Sequence, residues 1–248
     1  MTTRCSMAGQ RERRPPAAKR PLDIVLSSLG LLVSLPLCGL IALAVKLDDG
    51  GPVFYSQERM GREGRPFRSW KFRTMVIDAD AQFGRLQARE PDPRITRPGR
   101  ILRVMALDEL PQLWNILKGE MSFVGPRALL PAEIEVNGNG ALIPSEKVPG
   151  YQARHRVTPG LTGLAQVYAP RDLPRRHKFK YDLLYIRRQS FGLDLKLIAL
   201  SVWISVRGKW EYRGDKRRNA HSASVADTTW KPKETKQRAS KSLADGRN

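Results

Sequence analysis

The chain has 248 residues, 41% of them hydrophobic, and 44 Lys+Arg against 24 Asp+Glu give a formal net charge of +20. That apolar fraction argues against wholesale disorder, and the length admits one sizeable domain with a membrane anchor and tails. Two distant cysteines, Cys5 and Cys38, and three histidines, His155, His177 and His221, without metal-type spacing argue against a disulfide framework or a His-based metal centre.

Residues 1–20 contribute six basic side chains and one acidic, and residues 213–248 ten and four, yet the stretch between them stays basic. This predicts a polyanionic partner: nucleic acid, anionic lipid or a phosphorylated substrate. From Ile24 to Val45 run 22 residues without a charge, more than the roughly 18–20 needed to cross a bilayer. No small-residue cleavage site follows, so a secretory signal does not fit. The basic arm in front (Arg11, Arg13, Arg14, Lys19, Arg20) favours a cytoplasmic N-terminus. A simple span would then put the basic residues 53–212 outside. Pro36, in Ser34-Leu35-Pro36 at the middle of the segment, removes a backbone donor and kinks a helix there. From the residues alone, an ordinary spanning helix and a re-entrant hairpin stand level.

Farther along, GGPVFYSQERMG predicts a short strand and turn, and residues 65–75 alternate Phe67, Trp70 and Phe72 among cations. Residues 76–90 predict a polar helix stopped by the PDP turn at 91–93. Leu110, Leu113, Trp114 and Leu117 fall at i, i+3, i+4, i+7, an amphipathic helix that Gly119 ends. Residues 131–147 are expected to begin as a helix and loosen at NGNG into a turn. TPGLTGLAQVY (158–168) predicts a glycine-rich loop leading into a short apolar element. Residues 175–190 predict a basic helix. LDLKLIALSVWISVRGKW (193–210) is apolar enough to pack on the core or lie at a membrane interface. From Arg213 onward, polar residues without periodicity predict disorder.

Asp108 and Glu109, in ALDELPQLWN, are adjacent carboxylates in a basic chain. On a helix they point about 100° apart, but at a helix start both can converge on one metal or substrate. A purely structural account is also available: Asp108 caps the helix, Glu109 favours its positive end and Pro111 takes the first turn. The flanks weigh the other way. Arg103 precedes the pair, Arg127 ends SFVGPR after it, and KFRTM supplies Lys71 and Arg73. Arginine forks suit phosphate oxygens. A carboxylate attacks phosphorus once a cation neutralises the charge, and Mg²⁺ needs few protein ligands when phosphate and water supply the rest. As a set they predict a diphosphate site.

Residues 19–61 (KRPLDIVLSSLGLLVSLPLCGLIALAVKLDDGGPVFYSQERMG), KFRTM, LDELPQLWNILKGEMSFVGPR and PGLTGLAQV resemble the bacterial sugar transferase family, the monotopic polyprenyl-phosphate phosphoglycosyl transferases. The resemblance runs in order over about residues 19–210. It implies an α+β, predominantly helical, monotopic membrane protein with an N-terminal re-entrant helical hairpin and a cytosolic catalytic domain with a small β element. The domains would be a basic tail (1–20), the re-entrant helix (21–47), the catalytic domain (48–212) and a disordered polar tail (213–248). The activity implied is transfer of a sugar 1-phosphate from a nucleoside diphosphate sugar, UDP-linked by expectation, to polyprenyl (undecaprenyl) phosphate. It would occur at the cytoplasmic face of the bacterial inner membrane, with Mg²⁺, through a covalent aspartyl-phosphosugar intermediate. The product would initiate exopolysaccharide or another glycoconjugate.

Carried onto this chain, the resemblance makes Asp108 the nucleophile and a Mg²⁺ contact, with Glu109 its partner in handling metal or proton. Lys71, Arg73, Arg103 and Arg127 become phosphate-binding candidates, and Ser34 and Pro36 the break in the membrane helix, which favours the hairpin. Three departures concern substrate detail and local bonding: Ala106 where many members carry a hydroxyl residue, Thr158 in place of a basic residue, and Arg171 displaced after GLAQV. The chain also lacks the family's long multi-span N-terminal region, so a minimal form is expected. The implied partners are the nucleotide sugar, polyprenyl phosphate and membrane lipids, not nucleic acid; oligomeric state is left open. A membrane-tethered binder of nucleic acid or anionic lipid would leave the acidic pair without work. A non-catalytic scaffold would need a damaged LDE pair, and here the pair is intact.

Overall fold

A long uninterrupted apolar run favours helix where no water competes for backbone groups, and residues Lys19–Asp49 form one 31-residue helix, α1. The computed structural model describes residues 15–77, 79, 92–136, 142–170 and 173–208. The polar helix expected over 76–90 falls largely outside those residues, as do NGNG, Arg171, most of the basic N-terminal tail and the polar C-terminal tail. α1 is long and apolar enough to cross a membrane. Its backbone stays helical through Pro36, and the Ser34 hydroxyl donates to the Leu31 carbonyl at 3.3 Å. Gly50, at φ 73°, ends the helix in the left-handed region that glycine enters without a Cβ penalty.

Alternating residues then build a hairpin: β1 (Phe54–Met60) pairs antiparallel with β2 (Pro66–Phe72), Phe54 opposite Phe72 and Met60 opposite Pro66. α2 (Arg97–Met105) starts at Thr96, whose side chain accepts from the Gly99 N–H at 3.0 Å. It ends at Ala106, a non-glycine residue at φ 56°. A 3₁₀ turn, Leu107–Glu109, leads into α3 (Gln112–Lys118). Arg20 from α1 donates to the last carbonyls of α3, Ile116 at 2.6 Å and Leu117 at 2.7 Å. A cation there also complements the helix dipole. The amphipathic helix expected around 110–117 therefore exists, but Trp114 is turned outward and exposed.

Next come β3 (Ser122–Val124), β4 (Ile134–Val136) and β5 (Leu142–Pro144). β4 and β5 pair antiparallel, so the helix expected to begin at residue 131 is instead a hairpin arm. α4 (Tyr151–Arg154), β6 (Gly160–Thr162) and α5 (Leu164–Tyr168) follow. β6 pairs parallel with β3, Ser122 opposite Gly160. The approach is so close that a Cβ on Gly160 would lie 2.0 Å from the Gly125 nitrogen, so only glycine fits. α6 (Arg175–Arg188) and α7 (Phe191–Val206) complete the described fold.

Among the described residues four apolar clusters hold these elements, the smallest being Leu129, Val148 and Phe179. Val124, Val167, Tyr185, Ile186, Leu197 and Ile204 join β3 to α5, α6 and α7. Phe67, Leu113, Ile116 and Met121 join β2 to α3. Ile41 and Val45 of α1 pack with Phe72 and Leu102, beside Leu107 and Leu110. Polar ties add direction at the start of α1. Lys19 Nζ donates to the Val124 carbonyl (2.9 Å), Tyr185 Oη (3.1 Å) and Asp194 Oδ2 (2.8 Å). Asp23 accepts from the Ser122 hydroxyl and the Phe123 N–H.

Candidate active site

Lys71 lies on β2, next to last in the strand, and its ammonium reaches both carboxylates of the 3₁₀ turn: Glu109 Oε1 at 2.5 Å and Asp108 Oδ2 at 3.2 Å. Adjacent side chains that would diverge along an α-helix thus meet on one cation. The turn that carries them is set by Ala106 in its left-handed conformation. Asp108 is 9% exposed, and burial pushes its carboxyl above the ordinary range. The Glu109 charge adds to that rise, while Lys71 and Arg103 oppose it. For Glu109, burial acts upward too, but Lys71, Arg127 and Arg59 together hold it below its ordinary range. Two neighbouring carboxylates pushed in opposite directions are suited to different roles.

Lys71 and Glu109 open on a concavity whose walls also include Arg59, Arg127, Ser69 and Gln112. Its enclosed part is small, about 20 Å³, room for about one water, and the rest is open to solvent, so a ligand would lie across its mouth. Arg127 follows β3 through Gly125 and Pro126. Its carbonyl accepts from Arg154 Nη2 at 2.5 Å, and Arg154 is itself buried against Asp182, Nε to Oδ2 2.9 Å. Arg59 is absent from the expected set. It sits on β1 with Nη1 on the Ala128 carbonyl (3.0 Å) and Nη2 on Gln57 Oε1 (2.6 Å). Burial, then the nearby Arg127 charge, lowers its pKa to about 10. The signal that could have found it is a cation inside a strand two residues from polar Gln57, and so on the same side of the strand.

The other expected residues are placed as follows. Arg73 lies on the far side of Phe72 from Lys71 in sequence and forks onto Asp49, Nη1 and Nη2 each 2.5 Å from a carboxylate oxygen. Its Nε donates to the Pro52 carbonyl at 2.6 Å. The structure therefore seats Arg73 where α1 hands over to the hairpin, and not on the wall of the concavity. Arg103, on the last turn of α2, adds a favourable field at Asp108 and at Asp92. Ser34 and Pro36 lie within α1.

Among the described residues no group of three or more His, Cys, Asp or Glu side chains converges. The donor set at this site is two hard carboxylate oxygens. That suits Mg²⁺, which binds through one or two carboxylates and takes its remaining ligands from phosphate and water. Asp108 and Glu109 are the residues that would hold it, with the Lys71 ammonium beside them.

Comparison with known proteins adds an independent finding. The family model described as bacterial sugar transferase matches residues 14–208. An undecaprenyl-phosphate glucose phosphotransferase of Komagataeibacter xylinus is 45% identical over 191 residues, 74% of this chain and 35% of that protein. A UDP-glucose:undecaprenyl-phosphate glucose-1-phosphate transferase of Klebsiella pneumoniae is 43% identical over 200 residues, 78% of this chain and 41% of that protein. The exopolysaccharide production protein PSS of Rhizobium leguminosarum bv. phaseoli is 42% identical over 185 residues, 73% of this chain and 90% of that protein. The chain thus spans well under half the length of the first two relatives and most of the third.

Proposed function

The chain belongs to the bacterial sugar transferase family, and from that premise we propose that it transfers a sugar 1-phosphate from a UDP-sugar to undecaprenyl phosphate. The observation that carries this reading is the Asp108–Glu109 pair, joined by Lys71, with Lys71 and Glu109 lining a concavity that Arg59 and Arg127 also line. Two carboxylates alone would repel a diphosphate. With the three cations the site attracts it, and forked guanidinium groups match phosphate oxygens.

In the first step an Asp108 carboxylate oxygen bonds to the sugar-bearing phosphorus. The bond from that phosphorus to the bridging oxygen breaks, and uridine monophosphate leaves with the electron pair. In the second, an oxygen of the lipid phosphate attacks the same phosphorus and Asp108 is released as carboxylate. Lys71, Arg59 and Arg127 hold the phosphate oxygens, and Arg103 adds a favourable field at Asp108. Glu109, kept ionised by its cations, sustains the negative end of the Lys71 contact. Mg²⁺, when bound, neutralises phosphate charge so that a carboxylate can approach. Arg73 acts through structure, by fixing β2 relative to the end of α1.

The structure describes α1 as one helix through Pro36; a bend at Ser34–Pro36 in the bilayer, where proline supplies no helical donor, would return the chain and leave the catalytic residues on the cytoplasmic face. Its many exposed leucines and the basic domain after it support this placement. The product feeds exopolysaccharide or a related glycoconjugate, as the name of the Rhizobium relative suggests.

The test is release of uridine monophosphate by the solubilised chain given Mg²⁺, undecaprenyl phosphate and a panel of UDP-sugars. Turnover with at least one sugar, lost on chelation and in Asp108→Asn, is expected. An active Asp108→Asn enzyme would sink the nucleophile assignment. For topology, single cysteines placed on either flank of α1 should label from the same side of sealed vesicles; labelling from opposite sides defeats the hairpin.

A further inference from the structure

The wall of the concavity also holds two uncharged polar side chains. Ser69 and Gln112 contribute a neutral hydroxyl and a neutral amide to its wall, and each residue is 5% exposed. Among the described residues neither side chain has a hydrogen-bond partner, yet neither is among the polar atoms sealed inside the core. Their polar atoms therefore open on the concavity. A buried amide or hydroxyl left unmatched is destabilising, so such groups in a native protein are met by protein, water or ligand.

Asn115, one turn beyond Gln112 on α3, shows how this fold treats a structural amide. Its Nδ2 donates to the Arg68 carbonyl (2.7 Å) and Glu120 Oε2 (2.6 Å), and its Oδ1 accepts from the Trp70 N–H (3.2 Å). Those bonds bracket Ser69 and clamp β2 to α3. Ser69 and Lys71 are two apart on a strand and so share a side. Glu109 and Gln112 are three apart along a helical path and share a face. The charged rung Lys71–Glu109 thus has a neutral rung, Ser69–Gln112, directly beside it.

We infer that Ser69 and Gln112 form a neutral subsite that hydrogen-bonds hydroxyls of a sugar ring lying over the opening next to the diphosphate, those hydroxyls taking the place of the one water the cavity has room for. This rests on the donor reading above, which assigns the cations to the phosphates. An amide offers both donor and acceptor, and a serine hydroxyl does the same, which matches vicinal hydroxyls. Neither group carries a charge to recruit an anion or a cation. The ring is either the transferred sugar or the ribose of the nucleotide, and the arms of one experiment separate them.

The full chain, solubilised in detergent, is titrated calorimetrically with UDP, 2′-deoxy-UDP and whichever of UDP-glucose, UDP-galactose and UDP-N-acetylglucosamine binds most tightly. Wild type is compared with Ser69→Ala and Gln112→Leu. Because no internal partner is lost, both variants should keep the wild-type Tm. Gln112→Leu should bind the UDP-sugar about tenfold more weakly, the loss of one good hydrogen bond. Unchanged UDP affinity assigns the subsite to the transferred sugar. Equal weakening of UDP and UDP-sugar, with 2′-deoxy-UDP unaffected, assigns it to ribose. Undiminished binding of every ligand by the folded variants overturns the subsite, as does a Tm loss of several degrees in both, which marks the residues as structural. Wild type that binds no UDP ligand overturns the donor reading itself, and the subsite with it.

Discussion

Ala106 holds φ 56°, a left-handed conformation that costs a residue with a Cβ about 1–2 kcal/mol, immediately before the turn that carries Asp108 and Glu109. Strain of this kind persists where the surroundings impose it, and here it aims two carboxylates at one ammonium. Ala106→Gly should relieve it and stabilise the fold by about 0.5–1 kcal/mol, net of glycine's greater unfolded entropy; a denaturant midpoint checks this. Asp108 supplies the second prediction. Its folded pKa is raised, so the stability linked to its protonated form is present at low pH and lost as pH rises through that folded pKa. Asp108→Asn should therefore melt above wild type at pH 8, with the difference closing towards pH 4. Turnover by the same variant should fall about 10³-fold or more. The acidic pair and Arg127 were legible as a site because they are sequence neighbours or motif ends. Arg59 was not, because its role comes from strand pairing and burial that a single strand's residues do not display.

α4 ends in a buried imidazole: His155 Nδ1–H donates to the Tyr151 carbonyl at 2.8 Å, and the ring lies 4.3 Å from that of Tyr151. Burial first, and the Arg154 charge next, lower its pKa from 6.5 to about 4. The unfolded chain therefore binds a proton that the folded chain refuses between pH 6.5 and 4. Stability from this group is complete above pH 6.5 and is lost as the pH falls through that window, about 3 kcal/mol in all. Chemical denaturation at pH 7.5 and 4.5 should show the loss, and His155→Gln should shrink it. At the same scale, the β4–β5 hairpin replaced an expected helix. Glu133, just before β4, and Glu135 within it are two apart and both meet Arg175 at the start of α6, Arg175 Nε lying 3.0 Å from Glu135 Oε2. A period of two was present in the residues, but the partner that rewards it lies some 40 positions downstream.

α1 is joined to the rest of the molecule at its polar ends, through Lys19, Arg20 and Asp23 at the start and the Asp49–Arg73 fork at the finish. Its stripe of Ile41 and Val45 packs inward, while Leu32, Val33, Leu35 and Leu40 face outward. Lys19 also neutralises the buried Asp194, so Lys19→Met leaves that carboxylate without its cation. Breaking a buried pair from one side typically costs about 3–5 kcal/mol. A clear fall in Tm is expected, with faster amide exchange at Phe123 and Val124, because the Val124 carbonyl and the Asp23 contacts loosen together. Wild-type exchange rates there in Lys19→Met would show that β3 is held without α1. Since Arg127 lies three residues beyond Val124, α1 and the proposed phosphate site share one mechanical support.

By itself the sequence determined the apolar helix, the alternating stretches that become β1 and β2, the acidic pair with its flanking cations, and the family. Each is encoded by neighbours a few residues apart, through periodicity, capping or motif spacing. Tertiary structure alone decided that Lys71 bridges both carboxylates and that Arg73 serves Asp49. It alone decided that Arg59 joins the concavity and that Ser69 and Gln112 face it without partners. Those outcomes depend on which distant segments exclude water from the same space, and burial is a property of the packed molecule that no local run of residues carries.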